Sequence, residues 1–142
     1  MTIRQLFAGR NQTIIRCAPD TTVSEAARLL AGNRIGAMPV LDGDTVAGIF
    51  SERDLLYCIA DEGEAALRRE VASVMTAPAI TIDFEATVLN AMALMTRRRI
   101  RHLPVIENDR LAAFVSIGDL VKYRIEEIES EAEAMRDYIR TA

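Results

Sequence analysis

Few residues in this chain could carry chemistry. It holds one histidine, His102, and two cysteines, Cys17 and Cys58. His102 lies beside a proline in an extended stretch, His102-Leu103-Pro104-Val105, and no serine, cysteine or aspartate is spaced to form a nucleophile–base set with it. The cysteines lack metal-ligand spacing and sit among apolar neighbours, so they read as small buried hydrophobes. There is no glycine-rich loop of the kind that cradles a polyphosphate. No catalytic residue and no metal ligand is therefore assigned. Two Ser-x-x-Asp pairs remain, Ser51 with Asp54 and Ser116 with Asp119, together with a basic run of Arg97, Arg98, Arg99, Arg101 and His102. Taken alone, the serines suit helix caps, the aspartates suit solvated first-turn acids, and the arginines suit a solvated helix face ending at Ile100.

Those pairs belong to a larger pattern. Residues 13–55 align with 78–120 without a gap. Identical pairs include Ile15/Ile80, Thr22/Thr87, Ala26/Ala91, Arg34/Arg99, Ile35/Ile100, Pro39/Pro104, Val40/Val105, Ser51/Ser116 and Asp54/Asp119. An ungapped register of this quality marks a tandem duplication. Each copy predicts an extended segment (14–17 and 79–82) and a helix capped by Thr21 or Thr22, or by Thr87. A strand follows (37–41 and 103–106), then a tight hairpin (42–44 and 107–109), a further strand and a second helix opening at Ser51 or Ser116. The order β-α-β-β-α leaves one face of a small three-stranded sheet uncovered, so the copies are expected to pack sheet to sheet with pseudo-two-fold symmetry.

Half of the residues are hydrophobic and 27% are charged, enough for a real core. The net charge of −4 argues against a nucleic-acid partner. The N-terminus has no apolar signal stretch and no window is apolar enough to span a bilayer, so no membrane association and a cytoplasmic location are expected.

The phrases Met38-Pro39-Val40 … Gly48-Ile49-Phe50-Ser51-Glu52-Arg53-Asp54 and Leu103-Pro104-Val105 … Ala113-Phe114-Val115-Ser116-Ile117-Gly118-Asp119 resemble the CBS (cystathionine-β-synthase) domain. The resemblance runs from Ile3 to about Tyr123, and with its tail the chain is similar to stand-alone bacterial Bateman-module proteins. It implies an α+β fold of two such repeats plus a long C-terminal helix, divided as 1–65, 66–122 and 123–142. It also implies a regulatory module that binds an adenine nucleotide between the repeats. One composite site would join Ile15, Ile35, Gly36 and Ala37 with Phe114, Ser116 and Asp119, with His102 near the phosphate. The other would join Ile80, Ile100 and Arg101 with Ile49, Ser51 and Asp54. Each aspartate would accept from ribose hydroxyls, and each serine, at a helix start, would reach phosphate. His102 in copy two stands where Ala37 stands in copy one, so unequal sites are expected. Arg53, unique to copy one, is open between a phosphate and a nearby acid.

AMP or ADP is the favoured regulatory ligand, with ATP, NAD(H) and S-adenosylmethionine as further adenosyl candidates; no catalytic cofactor and no enzymatic activity are expected. Output would pass to an unknown effector protein. The rival reading is a ligand-free protein–protein interaction scaffold. After Asp119, Val121, Ile125, Ile128, Ala132, Met135 and Ile139 recur at heptad spacing. That apolar stripe needs a partner, either its own domain or, in the favoured reading, a second subunit of a homodimer.

Overall fold

The computed structural model describes residues 1–141. Its elements run α1 (Ile3–Phe7), α2 (Val23–Asn33), β1 (Ala37–Asp42), β2 (Thr45–Ser51) and α3 (Glu52–Glu62). Two short 3-10 helices (Gly63–Arg68 and Val71–Ser73) follow, then α4 (Val88–Arg98), β3 (His102–Glu107), β4 (Arg110–Ser116) and α5 (Ile117–Thr141). The repeat register of the sequence reappears residue for residue. Thr22 and Thr87 cap α2 and α4, their hydroxyls accepting from the Glu25 and Asn90 amides. Both helices end on an arginine in the left-handed region, Arg34 at φ 52° and Arg99 at φ 56°. Thr21 is no cap; its hydroxyl accepts from the Ala18 amide.

Each copy folds one antiparallel hairpin, β1 on β2 and β3 on β4, with a register shift at Val40/Leu41 and again at Val105/Ile106. The second hairpin turns on Asn108 and Asp109, both at positive φ, the backbone signature of a type I′ turn. The expected third strand is reduced to a single parallel bridge in each copy. Cys17 donates to Pro39 O and accepts from the Leu41 amide, and Ile82 does the same with Pro104 and Ile106. The next parallel bond would need the amides of Pro39 and Pro104, which proline lacks, so the ladder stops after one residue.

The repeats meet at β2 and β4 across the pseudo-two-fold, and Arg110 Nε lies 3.8 Å from Asp44 Oδ2 at that seam. Each copy also completes the other's interior. Ile3 and Leu6 of α1 are buried in the second core with Val88, Met95, Leu103, Val115 and Leu120. The amides of Ile3 and Arg4 donate to Ala86 O and Phe84 O, both at 2.9 Å. In return Val71, from the segment joining the repeats, is buried in the first core with Val23, Met38, Val40 and Phe50, and its amide donates to Thr21 O at 2.8 Å. Burying one such aliphatic side chain is worth about 1.5–3 kcal/mol, so this exchange binds the two copies into one unit.

Cys17 and Cys58 are free and buried in the first core. Burial pushes the Cys17 thiol up to about 11, which keeps it protonated and inert at neutral pH.

Candidate functional site

The two Ser-x-x-Asp pairs sit at the hinge from strand to helix in each copy. Ser51 caps α3, its Oγ accepting from the Asp54 amide at 3.3 Å. In return Asp54 Oδ2 accepts from Ser51 N and Ser51 Oγ, both at 2.9 Å. Ser116 and Asp119 repeat the arrangement at α5, with Asp119 Oδ2 accepting from Ser116 N at 3.0 Å and Ser116 Oγ at 2.9 Å. These are reciprocal capping boxes, and they account for both pairs without any ligand. The two acids then diverge. Asp54 Oδ1 accepts from Thr76 Oγ1 at 2.9 Å, whereas no side chain donates to Asp119 Oδ1 among the described residues.

Between the repeats lies a cavity of about 540 Å³. Ile49, Ser51, Asp54, Ile80, Ile100 and Arg101, the whole of the second predicted set, line it. Gly36, Ala37, His102 and Ser116 of the first set line it from across the pseudo-axis. Ile15, Ile35, Phe114 and Asp119 do not: Ile15 and Ile35 pack against the first core, and Asp119 turns back onto its own cap. Phe114 stacks on the His102 ring, with centroids 5.5 Å apart and planes at 14°.

Gly36 faces His102 of the other copy across the cavity. A Cβ there would lie 3.4 Å from Glu52 Oε1 and 3.7 Å from His102 Cε1. Its carbonyl accepts from the Glu52 amide at 2.9 Å, matched in the other copy by Arg101 O and the Ile117 amide at 2.8 Å. His102 is half-buried, and its pKa falls below the ordinary 6.5 because burial and then neighbouring Arg101 disfavour the cation, against opposing pulls from Asp119 and Glu52. At neutral pH the ring is a neutral donor–acceptor, and positive charge comes instead from arginines.

Four of these, Arg53, Arg98, Arg99 and Arg101, line the cavity against two carboxylates, Glu52 and Asp54. None of the four is in a salt bridge among the described residues. Arg53 meets no acid in an ion pair among the described residues; its Nη1 donates to Arg99 O at 3.4 Å. That carbonyl is free because Arg99 ends α4 in the left-handed conformation. The result is a cleft with an apolar wall of Ile49, Pro78, Ala79, Ile80 and Ile100 and a cationic rim. It can take a flat apolar ring joined to an anion.

The sequence assigns no site role to Thr76, Pro78 or Ala79: Thr76 falls just outside the repeat, and Pro78 and Ala79 open it with no polar side chain to mark them. Only the arginine run gave notice of Arg98 and Arg99. No cluster able to hold a metal ion occurs among the described residues, and no described helix is long and apolar enough to cross a membrane.

The CBS domain family matches this chain twice, over residues 10–61 and 71–126. A mitochondrial CBS domain-containing protein, CBSX3 of Arabidopsis thaliana, is 36% identical over 129 residues, covering 87% of this chain. The chain spans 63% of that relative's length. A CBS-domain protein of Agrobacterium tumefaciens superposes with a TM-score of 0.82 at 38% identity, covering 87% of this chain and 99% of that one. The CBS domain pair of protein MJ0100, crystallised with 5′-methylthioadenosine and S-adenosyl-L-methionine, shares the fold with a TM-score of 0.77. It is 19% identical and covers 89% of this chain and 98% of its own.

Proposed function

The chain belongs to the CBS-domain family, and on that footing we propose that it is a regulatory module that binds an adenine nucleotide in the cleft between its two repeats and signals to a partner protein. The observation that carries this reading is the cavity whose apolar wall leads to four arginines that form no ion pair among the described residues. An adenine ring fits the isoleucine and alanine wall, Asp54 and Thr76 stand where they can meet ribose hydroxyls, and the guanidinium groups suit phosphate. That MJ0100 carries adenosyl ligands supports the adenosine half of the proposal. The arginine rim favours a phosphorylated member, AMP or ADP, over a neutral thioadenosine. ATP and NAD(H) present the same adenosine and phosphate chemistry.

The same proposal divides the chain into a first repeat with its N-terminal segment (1–65), a second repeat (66–122) and a C-terminal helical extension (123–142). It assigns no catalysis, takes the cytoplasm as the working compartment, and places two copies in a homodimer whose effector is a separate protein.

One observation favours the scaffold reading. The capping boxes already satisfy Ser51, Ser116 and much of Asp54 and Asp119, so the Ser-x-x-Asp pairs do not by themselves speak for a ligand. Titration calorimetry with AMP, ADP, ATP, NAD and S-adenosylmethionine, on protein freed of co-purified nucleotide, separates the two. Micromolar binding of a phosphorylated adenosyl ligand, weakened in Arg101→Ala, is expected. No heat with any of them leaves the scaffold.

A further inference from the structure

The C-terminal helix carries an unpartnered seam whose charges choose an orientation. Leu120 of α5 is fully buried against the second core, but the neighbouring flank, about 100° round the helix, is open. Val121 (39% exposed), Ile125 (50%), Ile128 (48%), Met135 (59%) and Ile139 (66%) lie along it, with exposed Ala132 completing the stripe. The stripe does not fold back on its own domain. Of the large exposed apolar residues on α5, only Tyr138 lies off it. Their spacing fills the a positions with Ile125, Ala132 and Ile139 and the d positions with Val121, Ile128 and Met135.

The flanking charges are not neutral about which way a second helix runs. The g positions hold Arg124, Glu131 and Tyr138, and the e positions hold Lys122, Glu129 and Arg136. In a parallel, in-register pair each g residue faces the next e residue of the partner helix, which sets Arg124 against Glu129 and Glu131 against Arg136, opposite charges each time and twice by symmetry. An antiparallel pair centred on the stripe instead sets Glu129 against Glu129 and Glu131 against Glu131. Arg124 meets Glu127 on its own helix in the single chain. That half-buried pair within one helix turn can be exchanged for an interhelical one. We propose that α5 pairs with α5 of a second copy as a parallel two-stranded coiled coil, so that both C-termini leave the dimer on the same side. This deepens the homodimer named above and rests on it, while standing apart from nucleotide binding.

The test is sedimentation equilibrium of the full chain together with disulfide trapping in Met135→Cys, with Ser130→Cys on the outer face of the helix as control. The native cysteines are buried and do not interfere. In the parallel pair, residue 135 meets its own copy, so Met135→Cys closes a covalent dimer on mild oxidation and Ser130→Cys does not. Glu131→Arg is expected to weaken the dimer roughly tenfold, and Glu131→Arg with Arg136→Glu to restore it. A wild-type chain that stays monomeric at every concentration overturns both the homodimer and the coil. A dimer that traps at neither position, or is indifferent to Glu131→Arg, overturns the coil alone. The nucleotide titration is read separately in either case.

Discussion

The side-chain amide of Gln12 pairs with the backbone of Phe114 in both directions: Nε2 donates to Phe114 O at 2.7 Å, and Oε1 accepts from Phe114 N at 2.9 Å. The equivalent edge in the first copy is Ile49, and there the backbone of Thr76 makes both bonds, each at 2.9 Å. One side chain thus imitates a peptide group and clips the segment leading into copy one onto β4 of copy two. Gln12→Ala leaves those two groups to solvent and is expected to cost about 1 kcal/mol, read from urea unfolding, with faster amide exchange at Phe114. Gln12→Glu should cost at least as much, since a carboxylate cannot donate to the Phe114 carbonyl. Unchanged exchange at Phe114 in both variants would refute the clip.

The first copy's backbone clip demands a glycine. A Cβ on Gly48 would stand 2.8 Å from both Met75 Sδ and Thr76 O. The thioether can swing away, but the carbonyl oxygen is tied by the Ile49 amide and cannot. Gly48→Ala is therefore expected to destabilise the fold by about 1–3 kcal/mol and, by displacing Thr76 from Asp54, to weaken nucleotide binding as well. Copy two already carries Ala113 at this position, 2% exposed, because its edge is met by the slender Gln12 side chain and not by a second backbone. A Gly48→Ala protein as stable as wild type would show that the joining segment can slide.

The contrast between these two clips shows what the sequence could disclose. The helices and hairpins that occur twice were legible, because Thr22 and Thr87, or Ser51 and Ser116, each support the other's role as a cap. The bridging segments were legible only in the likeness of Ile3-Arg4-Gln5-Leu6-Phe7 to Val71-Ala72-Ser73-Val74-Met75, whose first amides donate alike to Ala86 O and Thr21 O. Residues 63–75 fold into 3-10 turns too short for any periodicity, and α1 is held by contacts with Phe84 and Ala86 that no local pattern announces. The missing third strand was readable in principle, since Pro39 and Pro104 each remove the amide that a parallel neighbour would need. The cavity's unequal use of the two predicted residue sets follows from side-chain placement, with Phe114 and Asp119 turned to His102 and Ser116, and spacing alone does not carry that.

Asp54 and Asp119 are expected to separate on mutation. Asp54 lines the cavity and Asp119 does not. Asp54→Asn keeps an acceptor oxygen for the Ser51 amide, so stability should fall by less than about 1 kcal/mol while nucleotide affinity drops roughly tenfold by calorimetry. Asp119→Ala should do the reverse, costing about 1 kcal/mol through the broken cap of α5 and leaving affinity near wild type. Equal losses of affinity in both variants would mean that the two clefts act together.

His102 gives the protein a pH signature with a definite sign. Burial and Arg101 hold its folded pKa below the ordinary 6.5, so near that pH the unfolded chain binds more protons than the folded one. Stability is then fully present above about pH 6.5 and declines as the pH falls through the unfolded value, flattening only below the folded one. His102→Gln should remove this slope between about pH 7 and 5.5, a window chosen to lie above most carboxylate titration. Nucleotide reverses the balance if its phosphate reaches the ring, because an adjacent anion favours the imidazolium. Binding at pH 6.5 would then draw a proton from solution, visible as a dependence of calorimetric heat on the buffer's ionisation enthalpy and absent in His102→Gln. Proton uptake that survives that substitution would place the titrating group elsewhere, and no uptake at all would leave His102 as a stacking partner of Phe114, with the arginines alone meeting the phosphate.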